Sequence, residues 1–543
     1  MEMTRTGLAQ AVLAALLAVP AAAQQLGEAT RVLDLPGFGS MGAAFDGEAL
    51  WVADRRENTL FRINPVDGKV LARLPTPGYR PTGLTWDGEH LWIADRDQNQ
   101  LFRLHPQTGL VDRVFRAPAR SPRGLAWDGE YLYLGDAKRD VIFCVDPIDG
   151  TTVRRIPTPS SAITGLTYDG RYLWAADRNH DEIYRLEPEQ GRVIGVIASP
   201  GPHPWGLAWD GEAAWSVDYQ TGKLYRLVVK PDDPVVHLEE KRLSVEYVIH
   251  FMTQGPDDLL SADFYIAVPE DRYHQGLLGQ PVFSPEPNEI LTDRFGQRVA
   301  RFRRDRLKPG LHLEASMAVD VVLNRTRFWI EPERVLPLNT IPPDIRKAYL
   351  SDGRKYRLRD PVVIEAVRRA IGDETHPYWM ARRIYQFVLD KLDYRLSGGW
   401  DPAPLLLERG TGSCSEYSFV LIALCRAAGI PARYVGGIVT RGDDAFVDNV
   451  FHRWVEVYLP GYGWIPVDPD RGDRKTPRGQ ALGFGYLDNR VVVTTVSGGE
   501  SEYLDWKYNG NVSYTFRGRA RVYVEHIGEL APVIKPEPRR KGK

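Results

Sequence analysis

The feature that most constrains this chain is a repeat of 41 residues in its first third. An aromatic-Asp-Gly turn recurs as Phe45-Asp46-Gly47, Trp86-Asp87-Gly88, Trp127-Asp128-Gly129, Tyr168-Asp169-Gly170 and Trp209-Asp210-Gly211, at a constant step of 41. Each turn precedes an aromatic strand ending in aspartate, such as Leu50-Trp51-Val52-Ala53-Asp54 or Leu91-Trp92-Ile93-Ala94-Asp95. A third strand follows (Leu60-Phe61-Arg62-Ile63), then a Pro-x-x-Gly turn at 65–68, 106–109, 147–150 and 188–191, then a fourth strand such as Val70 to Leu74. Four short strands per repeat predict propeller blades: one small sheet cannot bury both faces, but a ring of sheets can.

The fifth copy has a third strand, Leu224-Tyr225-Arg226-Leu227, but no Pro-x-x-Gly turn and no fourth strand after it. Val32-Leu33-Asp34-Leu35-Pro36, ahead of the first copy, is the missing strand, so the pattern predicts a five-bladed ring over 28–229 closed by its N-terminal strand. Closure removes open sheet edges. These repeats resemble the Trp-Val-Ala-Asp class of bacterial propellers related to NHL and YVTN repeats, a resemblance that carries architecture and no ligand. A protein or a cell-wall component is the partner class considered for the ring. The aspartates ending the second strands (Asp54, Asp95, Asp136, Asp177, Asp218) are read as turn caps; the other reading is a carboxylate ring for a cation or basic peptide. Cys144 stands where other copies carry Arg62, Arg103, Arg185 and Arg226, and is read as a drifted surface position.

Beyond a linker containing Lys230-Pro231-Asp232-Asp233-Pro234, apolar residues alternate at Val245, Tyr247, Ile249 and Phe251, and again from Leu311 to Leu323. Period two means half-buried strands. Residues 237–335 therefore read as a β-sandwich connector without catalytic residue types.

Cysteine is scarce: Cys144, Cys414 and Cys425 only. Arg5, the apolar run Leu8 to Val19, Pro20 and Ala21-Ala22-Ala23 read as a secretory leader over 1–23, which implies a secreted or periplasmic protein with no integral membrane segment after cleavage. In that setting an odd cysteine count leaves a free thiol. Cys414 and Cys425 on one helix would be about 16 Å apart, too far for a disulfide. The formal net charge of −2 gives no reason to propose nucleic acid as a partner. No phosphate loop or paired-cysteine zinc spacing occurs, Asp95-x-Asp97 is too weak for a calcium site, and no cofactor or metal is called for. The final stretch, 531–543, reads as a basic solvated tail.

The chemistry concentrates after Pro343. Asp360-Pro361 starts one helix, and Met380, Ile384, Phe387 and Val388 share the face of another. In Gly410-Thr411-Gly412-Ser413-Cys414-Ser415-Glu416-Tyr417, the glycines end a loop and Ser413 caps a helix that stops at Gly429. Cys414 then lies on the first turn, where the helix dipole favours a thiolate. Cys425 falls deep in the same helix among Leu421, Ile422 and Leu424 and reads as inert core. A thiolate needs a base, and the base needs an orienter. Phe451-His452-Arg453-Trp454-Val455-Glu456-Val457-Tyr458 and Gly463-Trp464-Ile465-Pro466-Val467-Asp468-Pro469 alternate as strands joined by a short turn. Pairing them antiparallel places His452, the acid–base, beside Asp468, which holds its tautomer.

The motifs Gly-x-Cys-x-Glu-Tyr, Arg-Ala-Ala-Gly-Ile-Pro-Ala-Arg, His-x-Trp-x-Glu-Val-Tyr and Gly-Trp-Ile-Pro-x-Asp-Pro resemble the transglutaminase-like superfamily, over about residues 340–500. The resemblance implies a papain-like α+β catalytic domain, taken here as 340–530, with the triad Cys414, His452 and Asp468. It also matches Tyr394 to an aromatic that helps hold the oxyanion, with core packing as the alternative. Trp400 and Trp454 are candidate walls of the substrate groove. The expected architecture is multidomain: an all-β five-bladed propeller, a β-sandwich connector and a papain-like core. The expected activity is thioester-forming attack on peptide or glutamine-type amides, with hydrolysis favoured. The alternatives are cross-linking to an amine, a non-catalytic propeller scaffold, and a propeller-based lyase or dehydrogenase. Protein or peptide is the expected substrate.

Overall fold

The structure is a computed structural model that describes residues 25–396, 399–442 and 445–533. The leader expected over 1–23, and the tail beyond 533, lie outside the described residues. Five antiparallel sheets of four strands form the blades. Four of them use consecutive strands. In the fifth, Ala29–Asp34 pairs with Lys223–Leu227, beside Ala214–Asp218 and Pro204–Trp209, so the N-terminal strand closes the ring.

The repeat motifs now have physical reasons. In the first blade Asp46 accepts the Trp51 indole N–H at 2.8 Å and the backbone N–H groups of Glu48 and Ala49. Asp87–Trp92, Asp169–Trp174 and Asp210–Trp215 repeat that indole bond. The aspartates ending the second strands cap turns: Asp54 accepts from Gly39, Arg56 and Glu57 backbone N–H groups. Glycine at repeat positions 83 and 124 is demanded by the axis. A Cβ on Gly83 would lie 2.7 Å from the Gly124 carbonyl carbon, and one on Gly124, whose φ is +56°, 2.6 Å from the Leu166 nitrogen. The inner strands therefore touch backbone to backbone. Cys144 is not a surface position: it is buried beside Tyr133, which replaces the tryptophan of the other blades and accepts from Arg154 at 2.9 Å.

The sandwich departs from expectation. One sheet orders Gln275–Leu277, His312–Phe328, Val235–Gln254, Arg521–Pro532 and Phe446–Asp448; the other orders Glu289–Thr292, Arg298–Leu307, Leu259–Ala267 and Gly510–Phe516. It is therefore not confined to 237–335, and the strands after 510 are not part of the sheet that carries His452. Arg521–Pro532 pairs with the long strand Val235–Gln254 from Leu243↔Pro532 to Gln254↔Arg521. That strand would otherwise leave an open edge beside a buried face. Ala531 and Pro532, assigned to the tail from sequence, end this strand.

The unit that carries Cys414 is a sheet of Gly463–Val467, His452–Leu459, Ala432–Val439 and Val491–Ser497 with helix Cys414–Ala427 packed on it. Helix Pro361–Ile371 starts where expected, Asp360 accepting the Val362 N–H. Among the described residues no helix is long and apolar enough to cross a membrane.

Candidate active site

Cys414 is the first residue of its helix and is 7% exposed. Glu416 reaches back to the Ser413 N–H at 2.8 Å, and Arg409 donates to Glu416 at 3.0 Å, so the turn that presents the sulfur is held from both sides. His452 starts its strand, and Val455 lies opposite Val467, so the hairpin brings Asp468 to the imidazole. His452 Nε2 donates to Asp468 Oδ2 at 2.7 Å. Asp468 Oδ1 accepts the Arg471 N–H at 3.1 Å, which orients the carboxylate. With Nε2 engaged by Asp468, Nδ1 is the ring nitrogen left for Cys414, which lines the same cavity.

The electrostatics favour an ion pair. Burial alone would raise the Cys414 pKa, but the hydrogen bond and charge of His452, with a hydrogen bond from the Arg453 N–H, outweigh it and lower the thiol. Burial would likewise lower His452, yet the charge and hydrogen bond of Asp468 hold it well above its ordinary value. Asp468 is held below its own, because the charge of His452 outweighs burial. All three shifts run in the direction that favours thiolate, imidazolium and carboxylate.

Tyr394 and Trp454 line the same cavity as Cys414, His452 and Asp468. Tyr394 is exposed on strand Asp393–Tyr394; burial, and then the charges of Asp470 and Cys414, push its hydroxyl up to about 12, so it stays a donor at neutral pH. Trp454 stacks on His452 with ring centroids 5.8 Å apart. Trp400 does not line this cavity. It packs over the Arg453 guanidinium and Tyr508, because buried Arg453 recruits a cage of aromatic rings behind the site. Cys425 is fully buried, and burial pushes its thiol to about 12.

Sequence reasoning missed Asp470. Its Oδ2 is 3.9 Å from His452 Nδ1, and burial, then Asp468, raise it to about 6. The only signal was its place two residues after Asp468.

Residues 365–469 match the model of the transglutaminase-like superfamily, and the chain carries that core there. An uncharacterised protein of Haemophilus influenzae is 30% identical over 158 residues, covering 24% of this chain and 42% of the relative. A protein-glutamine gamma-glutamyltransferase of Pseudomonas aeruginosa is 37% identical over 70 residues, covering 12% of this chain and 10% of the relative. The chain thus spans less than half the length of the one curated relative and about a tenth of the other. A solved structure of a proposed cysteine protease from Cytophaga hutchinsonii is 17% identical, covering 56% of this chain and 94% of that one, with a TM-score of 0.41.

Proposed function

We propose that the chain is a cysteine-nucleophile enzyme that cleaves amide bonds of protein or peptide substrates outside the cytoplasm. The observation that carries the proposal is that Cys414, His452 and Asp468 line one cavity, with His452 Nε2 2.7 Å from Asp468 and the imidazole lowering the Cys414 thiol.

The Cys414 thiolate attacks the amide carbonyl carbon, forming the C–S bond and moving charge to the oxygen. As the first helical residue, Cys414 has a backbone N–H with no intrahelical partner, and that N–H with the Tyr394 hydroxyl supplies the two donors for the oxyanion. His452 passes its Nδ1 proton to the leaving nitrogen, the C–N bond breaks and a thioester remains. Neutral His452 then takes a proton from water, which attacks the thioester and releases the acid and the thiolate. An amine in place of water gives a cross-link. Hydrolysis is the favoured outcome, since water is abundant and no acceptor-amine site is marked. Cross-linking is the second reading, favoured by the named activity of the Pseudomonas relative.

The test is mass spectrometry of a glutamine-containing peptide library incubated with the protein and with Cys414→Ala, with and without a labelled primary amine. Cysteine-dependent cleavage or deamidation supports hydrolysis, and labelled product supports cross-linking. Identical products from the two proteins refute the enzyme.

A further inference from the structure

One end of the propeller axis holds a cluster of cations that the catalytic reading does not use. Arg123, on the inner strand Pro122–Trp127, is only 7% exposed. Among the described residues its side chain has no carboxylate partner. It lies instead over the Trp205 ring, 4.9 Å from the centroid, and Arg178 lies over the same ring at 5.4 Å. Burial, and then repulsion from Arg96, Arg178, Arg80 and Arg55, pushes Arg123 down to about 10. A buried cation facing like charges is costly unless something anionic joins it.

The neighbours do not supply that anion. Arg55 donates to the Tyr219 hydroxyl at 2.6 Å, and Arg80 meets only exposed Asp97, at 3.3 Å. The turn aspartates close by direct oxygens to backbone N–H groups: Asp95 to Arg80, Asp136 to Arg120 and Ser121, Asp218 to His203. Blade architecture requires those aspartates, but not the arginines. Positions 55, 96, 137, 178 and 219 are equivalent in the repeat and read Arg, Arg, Ala, Arg, Tyr.

A second observation points to a ligand. Trp205 is 5% exposed, its Nε1 is buried without a hydrogen-bond partner, and its ring packs on Tyr219 at 5.5 Å. The indole nitrogens of Trp329, Trp454 and Trp506 are also without a partner, but of the four rings Trp205 is the one that lies under two guanidinium groups. The cluster is closed beneath: Gly83 and Gly124, each one residue after the positions of Thr82 and Arg123, are where the inner strands touch. That narrowing of the ring favours a compact occupant.

We infer that this end of the propeller binds a compact, multiply charged oxyanion, a phosphate ester or a polycarboxylate, between Arg123, Arg178 and the Trp205 indole. The site is independent of Cys414 chemistry and stands whether or not that chemistry holds.

The experiment is isothermal titration calorimetry of the full chain with inorganic pyrophosphate and, separately, citrate, at low and at physiological salt. Saturable binding of one equivalent, weakened by salt, is expected, and the tighter of the two anions identifies the source. Arg178→Gln, at a partly buried position, weakens binding at least about tenfold. Arg123→Gln abolishes binding without lowering the thermal midpoint of the ligand-free protein, because it removes an unpaired buried charge. Should Arg123→Gln not fold, Arg178→Gln alone decides. Absence of saturable binding by both anions, or variants that bind as tightly as the parent, overturns the inference.

Discussion

Replacing Asp468 by asparagine tests the ion pair without disturbing its shape. The asparagine oxygen can still accept from His452 Nε2, now 2.7 Å from the carboxylate, so the lost quantity is charge. At that separation and an effective dielectric of about 20 the attraction is about 6 kcal/mol, before the opposing cost of burial. Removing it lets the imidazole lose its proton near neutral pH, since burial already works against the charged ring. Cys414 then loses the cation that outweighs its own burial, and its pKa returns to or above the ordinary thiol value of 9.0. At pH 7 the thiolate fraction falls to about 1%. A more basic thiolate is intrinsically more nucleophilic, so part of this is recovered. Iodoacetamide modification of Cys414 should slow at least about tenfold at pH 7 and recover as pH rises towards 10. The assay follows the Cys414 peptide by mass spectrometry, with buried Cys144 and Cys425 as internal controls. An Asp468→Asn protein that alkylates at the parent rate, with an unshifted pH profile, would falsify the proposed origin of the thiolate.

Three further outcomes follow from the geometry. Activity should be bell-shaped in pH, because the pair needs a lowered Cys414 and a raised His452; Asp470→Asn should remove a step near pH 6 and move the alkaline limb to lower pH, measured as kcat/KM against pH on any substrate found. Buried Glu456 would be raised by burial, but Arg272 and then Arg433 hold it at about 2, so its contribution is full above the ordinary glutamate pKa and lost only as pH falls through about 2. Glu456→Gln should therefore cost about 3–5 kcal/mol at neutral pH by stranding two arginines, and urea unfolding with no midpoint change would contradict this. Gly124→Ala combines a left-handed backbone with a Cβ 2.6 Å from Leu166 nitrogen, and should lower stability by at least about 2 kcal/mol, read as a fall in the calorimetric transition of the propeller.

What could be read without coordinates was whatever local pattern encodes. The 41-residue step specified blades because in four of them the turn aspartate serves an indole five residues on, and the fifth copy's missing strand pointed to Val32–Pro36, which overlaps the closing strand Ala29–Asp34. The order of Cys414, His452 and Asp468 was legible because a helix cap and a tight hairpin are short-range devices that aim side chains by register alone. The tertiary structure decided what depends on distant partners. Arg521–Pro532 alternates like any strand, and only the open edge of Val235–Gln254 assigns it to the sandwich. Trp400 and Trp454 are alike in sequence, but the buried Arg453 guanidinium draws one behind the site while His452 stacks on the other. Asp470 owes its raised pKa to burial and to neighbouring Asp468, whereas the converging arginines of the propeller act on one another from far along the chain, since electrostatic energy follows distance in space and not separation in sequence.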